Sequence, residues 1–224
     1  MAVIHQTTLT PSKLELLTPW LPAQPWYDGA ERQPDLSKSG GFRLDDPSGE
    51  VGIEFMIVTD GSEHEPTTYQ IPLTYRGAPL EGAADALIGT SEHGMLGRRW
   101  IYDGTHDPVL VAQLVALMQG AAEPQAQSQS HTPDPTVFAR PVSAGYLEAV
   151  SSAVSANSPA GTEVRVETVA NHERRPGKLT VRIERILHPG SSDSSPGDDG
   201  CVIGTWRSPD GTPLRGVLTR ARRL

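Results

Sequence analysis

The side chains best able to do chemistry crowd between positions 93 and 107. They are His93, Arg98, Arg99, Asp103, His106 and Asp107. Imidazoles beside carboxylates can hold a metal ion or move protons. The same residues also have plain structural uses. Asp107 precedes Pro108 and is placed to cap a helix, and His106 can hydrogen-bond within a strand-to-helix turn. A second group, Trp20, Trp26 and Tyr27, sits in a proline-rich stretch. If exposed, these rings can stack on a sugar or dock a partner; if buried, they close the end of a sheet. Cys201, the single cysteine, opens the apolar run Cys201-Val202-Ile203 and reads as a core thiol. One cysteine excludes an intrachain disulfide and a multi-cysteine zinc site, and it fits a reducing compartment. No metal or cofactor site is expected.

Most familiar catalytic devices are missing. No G-x-x-x-x-G-K-[ST] loop is present, since Gly177-Lys178 runs into Leu179 and lacks the upstream glycine. There is no G-x-G-x-x-G after a strand, no G-x-S-x-G elbow and no H-E-x-x-H. No catalytic loop has the Asp and Asn spacing of a protein-kinase-like phosphotransferase. No apolar stretch approaches the roughly 20 residues that cross a bilayer. The start, MAVIHQTTLTPSK, does not read as a secretory signal, so a cytoplasmic protein is expected. The net charge of −8 is uneven: residues 1–120 carry −9 and residues 121–224 carry +1. The basic tail, with Arg215, Arg220, Arg222 and Arg223, lacks the density and interleaved aromatics of a nucleic-acid surface. It reads as a solvated strand face, and no nucleic-acid or membrane partner is expected.

The elements that must position these side chains can be read from periodicity. Thr10 as cap, Pro11 at the first helical position and Leu14, Leu17 and Leu21 on one face predict a helix, ended irregularly by Pro19 and Pro22. Residues 28–41 read as a polar loop. Val51–Val58 and Thr67–Arg76 alternate with period two and predict antiparallel strands. Pro72 cannot donate to a ladder, so its strand is expected at an edge or with a bulge there. Ala86–Thr90 and Arg98–Tyr102 predict a hairpin turning near His93-Gly94. Asp107-Pro108 followed by Leu110, Leu114, Leu117 and Met118 predicts a helix that Gly120 ends. Residues 121–136 read as a linker. Beyond it, residues 143–156 predict a helix through Leu147, Val150 and Val154. Strands follow through Val164–Val169 and Leu179–Ile183, then a loop over 189–200. Cys201–Trp206 and Leu214–Arg220 flank the turn Ser208-Pro209-Asp210-Gly211. Ile88-Gly89-Thr90 and Ile203-Gly204-Thr205 echo each other, as two related units or by chance. The expected class is α+β, curved antiparallel β-sheets packed against helices.

Several of these segments carry a family resemblance. Thr8-Leu9 with Lys13-Leu14, Trp20-Leu21-Pro22 and Gln24-Pro25-Trp26-Tyr27 resemble the start of actinobacterial maltokinases. Tyr69-Gln70-Ile71-Pro72-Leu73, Ala86-Leu87-Ile88-Gly89-Thr90 and Tyr102-Asp103-Gly104-Thr105-His106-Asp107-Pro108 continue the likeness. In that family an N-terminal cap domain, an antiparallel sheet with helices, precedes a sugar-kinase body. The resemblance implies a cap-like domain over residues 1–120. After the linker, residues 137–224 would form a second α+β unit, as a divergent repeat or an extension of the first sheet. The ATP-binding and catalytic residues of the kinase body have no counterparts here.

The resemblance implies a non-catalytic cap-like module that binds or regulates a sugar kinase or glucan-metabolising enzyme. Maltose, trehalose, glucan or amino-sugar phosphorylation would be its setting. A small carbohydrate-binding or sensing protein is the alternative, and an unrecognised phosphotransferase a third. The expected contact surface comprises Trp26, Tyr27, His93, Arg98, Arg99, Tyr102, Asp103, His106 and Asp107.

Overall fold

The computed structural model describes residues 9–29, 32–129, 131–140, 150–169, 177–191 and 197–224. The chain runs through β1 (Leu9–Thr10), α1 (Lys13–Trp20), β2 (Leu36–Leu44), β3 (Gly52–Asp60), β4 (Thr67–Arg76), β5 (Leu87–His93), β6 (Gly97–Asp103) and α2 (Pro108–Met118). It continues through β7 (Gln125–Ala126), β8 (Phe138–Arg140), β9 (Val150–Ser158), β10 (Gly161–Thr168), β11 (Lys178–Ile183), β12 (Gly200–Arg207) and β13 (Pro213–Arg223). These strands make one antiparallel sheet in the order β1-β5-β6-β4-β3-β2-β12-β13-β11-β10-β9, with β7 on β2 and β8 on β12. The sheet is not closed.

The antiparallel sheets expected from the alternating runs are present, but the balance of the class is corrected. The described chain is mainly β, with helices of only eight and eleven residues. The expected helix over 143–156 accounts for part of the difference. Residues 143–149 lie outside the described residues, while Val150–Ser158 is a strand paired with β10 along its length. Ser and Ala fill that segment and favour neither period, so pairing across the tight turn from Ser158 to Gly161 decides it. The loop expected over 28–41 is also shortened, because Leu36–Leu44 is strand β2. Its glycines serve close packing: a Cβ on Gly40 would lie 3.2 Å from Trp206 Cα, where β2 meets β12.

Helix α1 starts later than expected. Ser12, not Thr10, is its cap: Ser12 Oγ accepts from Glu15 N at 3.3 Å, and the Glu15 carboxylate accepts from Ser12 N at 2.7 Å. Pro11 therefore lies outside the helix. The irregular end is observed as a 3₁₀ turn over Leu21–Ala23. Helix α2 follows its predicted bounds, with Asp107 as cap and Gln119-Gly120 beyond its end. Nearly every residue of this helix is apolar, so it is buried on most sides rather than along one stripe. Its Leu110, Val111, Leu114 and Val115 share one core with Phe42, Phe55 and Ile57 from the first half and with Val164, Val181 and Val202 from the second.

Strand β3 is covered on both faces. Ile53, Phe55 and Ile57 face the α2 core. Met56 and Val58 face a second core with Leu17 and Leu21, joined by Tyr69, Ile71 and Ile101. Pro72 finds its place in the interior by a junction of partners. Beyond it, β4 pairs with β6 from Leu73 onward. Before it, Gln70 N donates to Arg185 O at 2.8 Å and Leu187 N donates to Thr68 O at 2.8 Å. The missing N–H of Pro72 falls between these two neighbours. The segment after β11 thus crosses from β13, where Glu184 N bonds Leu218 O, to β4. The stretch read as a linker also touches the sheet, through β7 on Phe42 and Arg43.

Candidate functional site

The hairpin of β5 and β6 and the turn that follows it carry most of the candidate residues. At its tip, His93 Nδ1 accepts from Met95 N at 3.3 Å and Leu96 N at 3.2 Å, so the imidazole holds the turn together. Gly97 closes the turn at φ +69, where a side chain would be strained. Met95 and Leu96 are 68 % and 46 % exposed, a large apolar presentation for a turn. Arg98 pairs with Glu92 at 3.0 Å in the open, an interaction of about 0–1 kcal/mol. Arg99 Nη2 donates to Leu96 O at 2.7 Å and braces the tip.

The other end of β6 is built for the interior. Tyr102 is buried, and its hydroxyl accepts from Leu80 N at 2.9 Å. Asp103 is buried, accepts from Thr105 N and Oγ1, and receives Arg185 Nη2 at 2.5 Å. Arg185 is itself 1 % exposed; its Nε donates to Thr162 Oγ1 at 2.7 Å, and its guanidinium lies 4.7 Å from the centre of the Trp26 ring. Burial lowers the pKa of Arg185, and Asp103 works against that shift. Asp107 caps α2 through Val109 N at 2.9 Å and takes a two-pronged bond from Arg76, at 2.6 and 2.7 Å. This pairing raises the pKa of Arg76. Between these buried acids only His106 is exposed.

The expected cluster therefore separates into two places. His93, Arg98 and Arg99 stand at the hairpin tip, and His106 stands beyond the other end of β6, about 17 Å of strand away. Asp103 and Asp107 are each committed to an arginine, so neither is open to a metal or a substrate proton. Among the described residues no group of three or more His, Cys, Asp or Glu side chains could hold a metal ion. Trp26 is buried, edge-on to Trp20 at 5.8 Å and tilted against Tyr69 at 6.1 Å, so it offers no face to a sugar. Tyr27 is half-buried and donates to Asp60 Oδ2 at 2.8 Å. Burial, and then Asp60, raises the pKa of its hydroxyl. Cys201 is buried, as expected of a core thiol.

One buried polar group escaped the sequence reading. Glu54 sits under α1 and accepts from Lys13 Nζ at 2.6 Å, Gln127 Nε2 at 2.6 Å and the Tyr75 hydroxyl. Burial pushes its pKa up, but Lys13 and the hydrogen bonds outweigh it and hold the carboxyl below the usual range.

The segment bearing both clusters has a known counterpart. Residues 20–107 match the maltokinase N-terminal cap domain. No curated protein matches the chain. The cap segment begins at the last residue of α1, includes β2 to β6, and stops at the Asp107 cap of α2. The resemblance read from Trp20-Leu21-Pro22 and Tyr102–Pro108 is borne out over this span. Two arginines tie it to its surroundings. Arg76 lies inside the cap segment and anchors the start of α2, whereas Arg185 reaches its Asp103 from outside. Asp107→Ala is expected to destabilise the fold by about 2 kcal/mol, by removing a helix cap and the acceptor of Arg76. Asp107→Asn keeps the cap and should lose less; urea denaturation of both variants measures the difference.

Proposed function

We propose that this chain serves as a cap module that binds a maltokinase-type catalytic body and regulates it. The setting would be the phosphorylation of maltose, trehalose, a glucan or an amino sugar. The observation that carries the reading is the cap match over residues 20–107. The tip of the β5–β6 hairpin supports it as the contact. Met95 and Leu96 supply exposed apolar surface, and Arg98 and Arg99 supply charge at the rim. An interface of this kind concentrates its energy in a few such anchors. His106, at the far end of β6, would belong to a separate contact.

The test is calorimetric titration of the purified chain into a purified maltokinase-type catalytic body. Saturable binding is expected, weakened about tenfold or more by M95A/L96A/R98A with an unchanged melting temperature. The single variant H106A reads the other end of the strand. Absence of binding would sink the cap reading, and binding indifferent to the tip variant would move the contact elsewhere.

A further inference from the structure

Strand β9 ends the sheet and is bonded on one side only, to β10. Among the described residues no strand pairs with its other edge. None of its nine residues is buried, and Val154 is 66 % exposed. The opposite end of the sheet is β1, two residues long and too short to template another strand. Long edges are ordinarily guarded by charge, proline or a bulge, because their free N–H and C=O groups accept any passing strand. The sequence of β9, VSSAVSANS, contains no charge and no proline. The one irregularity in its pairing lies at its very start, opposite Glu167/Thr168.

We propose that this edge is an interface between two copies of the chain, β9 against β9, about a two-fold axis through Val154. On both sides of Val154 the strand carries only small or uncharged residues, Ser, Ala and Asn, with Val150 at its start. Antiparallel pairing centred there sets Ser152 opposite Ala156, Ala153 opposite Ser155 and Ser151 opposite Asn157. Every pair is small and uncharged, so the edge meets its own copy without like-charge conflict. The pairing preserves the faces of the sheet. Ala153 and Ser155, which stand opposite Val166 and Val164 on the core side, stay on that side in both copies. Val154 meets Val154 of the other copy on the outer face and leaves water. A charged foreign strand would gain nothing from this edge, whose nearest cross-strand charges, Glu163, Arg165 and Glu167, belong to β10 and alternate in sign.

Sedimentation velocity on the full chain tests this. The expected species has twice the 24.1 kDa mass of the chain and dissociates on dilution. V154K places two ammonium groups at the axis and should weaken the dimer roughly tenfold, with unchanged circular dichroism and, at dilutions where the wild type is monomeric, an unchanged melting temperature, because the position is exposed in the single chain. V154C should cross-link to a dimer under mild oxidation, since the paired positions face one another within disulfide reach, whereas S152C, facing Ala156, should not. The native Cys201 is buried and does not compete. A wild-type chain that stays monomeric at every concentration would overturn the proposal. So would a dimer that V154K leaves intact, or cross-linking through S152C but not V154C.

Discussion

Arg185→Ala is expected to destabilise the fold by about 3–5 kcal/mol, because it leaves Asp103 charged, buried and without its cation. The loss extends past the ion pair. The Arg185 side chain also supports the Trp26 ring and bonds Thr162, so its removal opens a hole between the cap segment and β10. The paired variant D103L/R185M should recover most of this loss. A well-packed apolar pair can replace a buried ion pair nearly neutrally, whereas half of one cannot remain. Urea denaturation of D103L, R185M and the double variant gives the coupling directly. Equal losses in the double variant and in R185A would show that Arg185 acts by packing rather than by charge. The backbone of the same segment, through Gln70 N on Arg185 O and Leu187 N on Thr68 O, is unaffected by either change.

The second large effect is expected at Glu54. Glu54→Ala strands the Tyr75 hydroxyl and the Gln127 amide and frees Lys13 to solvent, for a loss of about 3 kcal/mol. It also removes the Gln127 bond to β3 and leaves the 125–127 segment held by the pairing of β7 with β2. The wild-type carboxyl adds a pH dependence of definite sign. Its pKa is lower in the folded chain than its ordinary value of 4.5. Its contribution is therefore complete above that value and is lost as pH falls from there through the folded-state pKa. Melting temperatures of wild type and E54A, followed downward from neutral pH, should converge in the acid range. Curves that stay parallel would show that the ionised form of Glu54 does not stabilise the fold.

The buried ion pairs show where sequence reading stops. The run Leu179, Val181, Ile183 predicts inward positions at every second residue, and continuing that count places Arg185 and Leu187 inside as well. The period was legible; that a charged residue would obey it was not, because its partner Asp103 lies 82 positions away. The period of two places Glu54 on the face opposite Ile53 and Phe55. Its burial came from α1 covering that second face. No periodicity marks Met95 and Leu96, which lie in the turn between β5 and β6 and are exposed there.

Local pattern by itself determined much of this protein. It set the alternating strands β3, β4, β10 and β11, the β5–β6 and β12–β13 hairpins, and the apolar helix α2 with its Asp107 cap, since each depends on neighbours within a few residues. It also carried the cap resemblance from Trp20 to Asp107. Tertiary structure alone decided β2 and β9, whose Gly, Ser and Ala residues have no strong intrinsic preference and become strands by pairing. It decided that one sheet runs through both halves. It also decided that the conspicuous acids Asp103 and Asp107 hold the fold and that the exposed tip faces outward. Those outcomes rest on contacts between residues far apart in the chain, and no local propensity encodes them.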